Sequence, residues 1–496
     1  MRLLSKSKLM AYRQCPRRLW LEVHRPELKA DSEGTQASYA TGTLVGEVAR
    51  RLYDPEGQGT LIDLGELGFP GVYNATAQAL ADGGPVFEGS FCTKDALALA
   101  DILLPHKSGR SKAWRMVEVK SSTSVKDIYR DDVAVQAHIV RSAGLKLSGV
   151  ALAHIDSDWV YPGDGDYLGL LKEVDLTEAV LSRGEEVQGW IDDAQRVVAR
   201  KREPEACTGA HCSSPYECGF YEYCSSDEPQ AELPIEWLPR FHAGPWREQG
   251  ILDMRELPDD ALNDVQHRVR NCTLNEALYF DRQGAADDLR PHKLPAYFMD
   301  FETIQFAVPI WAGTRPYQQI PFQYSVHRLD AKGTLEHAEF LDLSGNDPSR
   351  AFAEQLIKDC GTKGPVFVYH APFEKSRLKE LGQRFPDLAD GLEKISARVV
   401  DLLPIARNRY YHPLQKGSWS IKAVLPAAVP ELSYQALEGV QNGGDAQEAF
   451  LEAIHAETAH ERKQTLHRQL LAYCGLDTYA MVKLWQVFSE RGELAL

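Results

Sequence analysis

The sequence predicts an α/β protein of two domains joined by a small helical region. Three observations lead there. The chain has 496 residues, more than one hydrophobic core usually organises, so at least two domains are expected. In both the first and the last third, short apolar runs alternate with stretches of helical periodicity, the pattern of strands and helices around a sheet. Between them lies a polar, turn-rich segment, Ser225-Ser-Asp-Glu-Pro-Gln-Ala-Glu-Leu-Pro234. The expected regions are residues 1–225, 226–290 and 291–496.

Composition narrows the class. Hydrophobic residues make up 44% and charged residues 25% of the chain, ordinary for a globular protein. No apolar run is long enough to span a bilayer. The start, Met1-Arg-Leu-Leu-Ser-Lys-Ser-Lys8, has basic residues but no apolar segment after them, so it is not a secretory signal. The expectation is a cytoplasmic protein without a membrane partner. A net charge of −16 argues against a broadly basic nucleic-acid coat. It leaves room for a local basic groove and for carboxylates neutralised by metal ions. Nine cysteines in a reducing compartment point to metal binding more than to disulfides.

In the first third, Ser5 opens a helix that Cys15-Pro16 breaks, and a second helix follows. Leu44, Val45, Val48, Ala49 and Leu52 form a helical stripe, and Glu47 lies off it. Three strand-like runs come next: Pro85–Phe91, Ala96–Pro105 and Ala113–Ser121, the last two separated by a polar turn over Lys107–Lys112. Asp101 is one acid in an apolar strand. Glu118 and Lys120 share one face of the next strand, with Val117 and Val119 on the other. A hairpin brings Asp101 near them. Carboxylates hold Mg²⁺, and a lysine beside them orients water and stabilises charge on a phosphate.

These residues resemble the PD-(D/E)XK nuclease motif in its RecB-like form, over residues 1–225. The resemblance implies Asp101 and Glu118 as metal ligands and Lys120 as their catalytic partner. It also matches Gln136, on an expected helix Ile128–Ser142, to the glutamine of RecB-type members. Gly46-Glu47 stands where those members carry a metal-binding histidine, which leaves Glu47 as a substitute ligand, and Val140 stands where they carry a tyrosine.

Cys207, Cys212, Cys218 and Cys224 crowd the end of this region. The five-residue gaps between the last three are wider than the spacing of structural zinc sites. Irregularly spaced thiolates suit an iron–sulfur cluster, which needs four. Cys207 is a local fourth ligand. RecB-like nucleases of CRISPR adaptation and DNA-end processing use one cysteine before the domain and three after it. That resemblance implies a [4Fe–4S] cluster on Cys15, Cys212, Cys218 and Cys224, with zinc the alternative metal. Cys92, Cys272, Cys360 and Cys474 stand apart and read as buried thiols.

Residues 235–275 read as mostly helical: Trp237–Phe241, Gly250–Leu257 and Asp259–Val269. They form either a spacer or a helix–hairpin–helix that holds a nucleic-acid backbone through amide groups.

The last third opens on Ala296-Tyr-Phe-Met-Asp300-Phe-Glu302-Thr303. In a strand Asp300 and Glu302 share a face, and burying two acids side by side is costly unless a cation neutralises them. A divalent metal with oxygen ligands does so. Further strands are expected at Pro321–Leu329, Gly364–His370 and Val399–Leu403. Helices are expected at Ala351–Cys360, Lys375–Phe385 and Leu466–Phe488. Tyr473 and Asp477 lie one turn apart on the last helix.

This third resembles the RNase H-like DEDD exonucleases whose last motif is Y-x3-D. Asp300 and Glu302 match the first motif, Tyr473 and Asp477 the last, and Glu374 stands where the middle aspartate is usual, with Asp401 in reserve. The resemblance implies two Mg²⁺ or Mn²⁺ ions on Asp300, Glu302, Glu374 and Asp477, with Tyr473 orienting water, and digestion from 3′ ends. The whole chain resembles bacterial proteins that fuse these two nuclease domains. The expected partner is nucleic acid, DNA ahead of RNA, with a helicase or a repair or defence protein besides. Two rival readings are a nucleic-acid-binding protein whose N-terminal module has lost catalysis, possessing only the C-terminal activity, and an iron–sulfur scaffold without catalysis.

Overall fold

The structure, a computed structural model, describes residues 2–108, 111–226 and 228–490. The chain divides into two units. One comprises Met1–Pro229 with Phe306–Tyr317, the other Gln230–Gln305 with Gln318–Leu496. Each is α/β, as the alternation of periodicities requires.

In chain order the first unit contains β1 (Leu4–Ser5), α1 (Lys6–Gln14), α2 (Pro16–His24), α3 (Glu33–Tyr53), β2 (Thr60–Leu61), α4 (Leu64–Asp82), β3 (Val86–Cys92), β4 (Ala96–Ser108), β5 (Ser111–Lys120), α5 (Asp127–Ser142), β6 (Leu147–Ile155), β7 (Leu171–Asp175) and α6 (Gly184–Val198). The strands form one sheet in the order β2-β3-β4-β5-β6-β7, with β1 beside β4. β3, β4 and β5 run antiparallel, as short loops permit. β5 and β6 are parallel, which requires a crossover, and α5 supplies it. The centre of the predicted turn over Lys107–Lys112, residues 109–110, lies outside the described residues.

One face of this sheet packs its core against α1, α5 and α6, through Leu9, Val133, Val140 and Ile191 among others. On the other face Val45, Val48 and Ala49 of α3 are buried with Leu52 packed beside them, while Leu44, the first residue of the predicted stripe, is exposed. Ser5 caps α1 by accepting from the Lys8 amide at 3.3 Å. Extended backbone at Cys15 ends α1, and Pro16 opens α2, where its missing N–H costs nothing.

The second unit holds β8 (Ala296–Ile304), β9 (Ile320–Leu329), β10 (Leu335–Leu341), α7 (Ser349–Asp359), β11 (Val366–Val368), α8 (Ala371–Arg384), β12 (Val399–Asp401), α9 (Ile421–Ala428), α10 (Gly443–Ile454) and α11 (His460–Ser489). Its sheet runs β10-β9-β8-β11-β12, antiparallel through the first three strands and parallel in the last two. β8 is central and buried on both faces, and it carries Asp300 and Glu302.

The helical region expected as a separate segment, 226–290, is built into the second unit. Arg268 donates to the carbonyls of Arg407 and Asn408, and Thr273 pairs with the Tyr411 hydroxyl at 3.2 Å. Tyr279–Phe280 pairs as a short strand with Tyr410–Tyr411. The helix expected over Gly250–Leu257 does not form. Backbone pairing of Leu233 with Met254 and of Ile235 with Leu252 holds that stretch extended, and Asp253 accepts from the Leu233 amide. Among the described residues, no helix is long and apolar enough to cross a membrane.

Candidate metal centres and the cysteine pocket

Strand period and helix packing build the acidic centre of the second unit. Asp300 and Glu302 sit two residues apart on β8, hence on one face, and α11, packed across β8 and β9, adds Asp477. One oxygen from each of Asp300, Glu302 and Asp477 lies within 4.8 Å of the other two. Among the described residues this is the one group of three or more potential ligands so close together. Glu302 and Asp477 are buried and Asp300 is half-buried.

Burial first, then the charge of Asp477 on Asp300 and of Asp300 on Glu302, push both carboxyls well above the carboxylate range. Burial also raises Asp477, to about 6, against a hydrogen bond from Tyr434 that favours its charged form. Tyr434 donates to Asp477 Oδ1 at 2.5 Å. Tyr473 is buried one turn before Asp477, and burial raises its hydroxyl further above its already high ordinary value. The Lys422 ammonium lies 4.9 Å from the Tyr473 ring centre and 5.3 Å from that of Tyr434.

Glu374 occupies the first turn of α8. It is buried, it lies outside the group of three, and its Oε2 has no hydrogen-bond partner. Burial, then the charge of Asp300, raises it to about 9. Asp401 has a different task. It accepts from the amides of His370 and Ala371 at 3.0 Å and of Leu403 at 2.9 Å, holding two chain turns together.

The first unit gathers Asp101, Glu118 and Lys120 on the wall of a cavity of about 1220 Å³. The β4–β5 register places Ile102 opposite Val117, and Asp101 Oδ2 accepts from the Val119 amide at 2.8 Å. Glu118 is almost fully buried. Its Oε1 accepts from Lys120 at 2.8 Å and from Lys6 of α1 at 2.7 Å, while Oε2 is buried without a partner. Asp132 of α5 pairs with Lys120 and stands 3.5 Å from Lys6. Burial opposes charge on Glu118, but Lys120 and Lys6 outweigh it and hold the carboxyl well below its usual range. Asp101 goes the other way, raised by burial and by Glu118.

Two sequence candidates stay outside this cavity's wall. Gln136 is fully buried and donates to the Leu99 carbonyl at 2.6 Å, tying α5 to β4. Glu47 is exposed, as its place off the apolar stripe implies, while Gly46 and Arg50 line the cavity instead. A further acid on the cavity wall is Glu88. It falls opposite Asp101, between the pairs Phe87–Ile102 and Gly89–Ala100, with a left-handed φ of 55°. A non-glycine residue in that conformation is strained, a feature common at functional sites. Glu88 carries the signal that singled out Asp101, one acid in an apolar strand.

Cys15, Cys212, Cys218 and Cys224, the four that the resemblance implies, line one small pocket. Cys15 joins α1 to α2, Cys212 lies in a 3-10 turn, Cys218 in a loop and Cys224 in a short helix, Tyr221–Ser226. Cys207 also lines this pocket but is exposed. Burial pushes the Cys224 thiol up to about 11 and raises Cys212 and Cys218, with neighbouring thiols adding to each. Of the isolated cysteines, Cys360 and Cys474 are buried, and Cys92 and Cys272 are partly exposed.

A family model described as a domain of unknown function, DUF2779, matches residues 297–420. That span takes in Asp300, Glu302, Glu374 and Asp401 and ends before Lys422, Tyr434, Tyr473 and Asp477. A search of curated proteins gives no match.

Proposed function

We propose that the chain is a metal-dependent nuclease with two separate catalytic sites, acting on DNA ahead of RNA and shortening strands from the 3′ end at the C-terminal site. The observation that carries this reading is the buried group Asp300, Glu302 and Asp477, whose oxygens converge and repel. An all-carboxylate donor set suits a hard divalent cation such as Mg²⁺ or Mn²⁺. Glu374 stands close enough to raise the charge density and serves as the fourth ligand. Bound there, such ions supply Lewis acidity and an activated water for phosphodiester hydrolysis.

The chain's own residues do the rest. Tyr473 stays protonated at neutral pH, so its hydroxyl orients the attacking water and does not remove a proton. Tyr434 fixes the rotamer of Asp477 through its hydrogen bond. Lys422 offers positive charge to a phosphate approaching the acids. In the first unit Asp101 and the unpaired Oε2 of Glu118 are the atoms left to a cation, and Lys120 steadies charge on the phosphate.

For the cysteine pocket we propose a [4Fe–4S] cluster on Cys15, Cys212, Cys218 and Cys224. All four line one pocket, and an iron–sulfur cluster needs four thiolates. The cluster would staple α1 to the end of the domain. We assign the protein to the cytoplasm, where reduced thiols suit such a group.

Digestion of end-labelled single-stranded DNA and RNA with Mn²⁺, using anaerobically purified protein, tests this function. Stepwise 3′ shortening lost in Asp300→Asn, with other cutting lost in Lys120→Ala, is expected. No metal-dependent cutting of either substrate by the intact chain would overturn it.

A further inference from the structure

We infer that Lys6, a residue outside every motif in the sequence, is a second substrate-binding lysine of the N-terminal site, holding a backbone phosphate beside Lys120. This rests on the nuclease reading of that site. Lys6 opens α1, and its ammonium meets the same Glu118 oxygen that Lys120 uses, at 2.7 Å and 2.8 Å. The two lysines and two acids, Glu118 and Asp132, form a closed ring of alternating charge.

An ammonium carries three N–H donors. Lys120 directs two to Glu118 and Asp132, and Lys6 directs one to Glu118. Donors therefore remain on both side chains, and both line the 1220 Å³ cavity. The same wall holds Arg18, Arg50, Tyr39, Tyr129 and Tyr216. Cations beside aromatic faces are what a single nucleic-acid strand needs, phosphate to ammonium and base to ring.

Lys6 is also held in place. Leu4 and Ser5 pair with Ala96 and Leu97 of β4 just before it. At the other end of α1, the Gln14 amide donates to the carbonyls of His211 at 2.6 Å and Tyr216 at 2.7 Å, beside Cys212. A lysine on a helix pinned at both ends is a preorganised phosphate contact, which loses little freedom on binding.

The test uses the full chain carrying Asp300→Asn, so that the N-terminal site is read alone. Lys6→Gln keeps a hydrogen-bond donor to Glu118 without the charge, Lys6→Arg keeps the charge, and thermal melting confirms that each folds. We expect Lys6→Gln to raise KM for a single-stranded oligonucleotide by roughly 10-fold or more, one charged contact's worth. Its log–log salt dependence of binding should be shallower by about 1, with Lys6→Arg restoring both. Lys6→Gln with an unchanged KM and an unchanged salt slope overturns the inference. If the parent chain cuts nothing that Asp101→Asn abolishes, the nuclease reading of this site falls. The salt slope still decides whether Lys6 touches phosphate.

Discussion

The second unit brings three carboxylates together, Asp300, Glu302 and Asp477, with Lys422 as a neighbouring cation. In the first, Glu118 and Asp132 are crossed by two ammonium groups, from Lys6 and Lys120. Both regions bury acids, and they balance the charge differently. The first unit supplies its own counter-charge, so Glu118 ionises easily without metal. The second leaves the charge uncompensated, so its acids hold protons at pH values where ordinary carboxylates are ionised. A divalent cation at the second site therefore displaces protons and relieves repulsion together, whereas at the first it meets a raised Asp101 beside a Glu118 already balanced by two lysines.

Removing ligands should break this comparison most visibly. Asp300→Asn is expected to lower 3′ shortening on the order of a thousandfold. Lys120→Ala should leave that activity alone and remove the remaining cutting. Gel analysis of end-labelled DNA separates the two.

The pH dependence of stability contributed by Glu118 should be opposite in sign to that contributed by the second unit's acids and by Asp101. Folded Asp477 titrates at about 6, above the ordinary carboxylate value near 4. The folded chain thus binds more protons than the unfolded chain between those values. Metal-free stability contributed by this site is full below about pH 4 and falls as pH rises through about 6, and Glu374 extends the fall toward about 9. Glu118 is held low, so its contribution is present above about pH 4 and is lost as pH falls toward its folded value. Thermal unfolding in EDTA between pH 4 and 9 should show the decline. Asp477→Asn should flatten it by up to about 1.4 kcal/mol per pH unit between pH 4 and 6.

The cysteine pocket sharpens the picture of the first unit. Cys15→Ser should lower iron and acid-labile sulfide per chain to less than half, while Cys207→Ser should leave both unchanged. The smallest effect belongs to Glu47. It is exposed and off the cavity wall, so Glu47→Ala should change cutting by less than about twofold and stability by less than about 0.5 kcal/mol. Glu88→Gln, made in parallel, should lower cutting more.

Much of both acid sites was legible because local periodicity fixes which side chains share a face. Alternation puts Asp300 beside Glu302 and Glu118 beside Lys120, and a helical turn puts Tyr473 beside Asp477. The apolar alternation of the hairpin also sets the register that carries Asp101 to Glu118. What escaped is set by packing between distant segments. Lys6 lies 112 residues from Glu118, and nothing in its helix says which strand it will cover. Lys422 and Tyr434 come from a short helix and a 3-10 turn with no recognisable spacing to the acids. Asp132 and Glu88 were within reach, since each is an acid inside an otherwise buried run. Gly250–Leu257 looked helical by composition, but pairing of its backbone with residues 233–235 overrides propensity.

The central claim, that the second unit is built for a cation its own residues do not supply, is tested most directly by Mn²⁺ titration calorimetry near pH 7.5. The intact chain should bind Mn²⁺ with release of protons, seen as heat that scales with buffer ionisation enthalpy. The Asp300→Asn/Asp477→Asn double variant should lose that binding while Lys120→Ala keeps it. Equal Mn²⁺ affinity in the double variant and the intact chain would contradict the account.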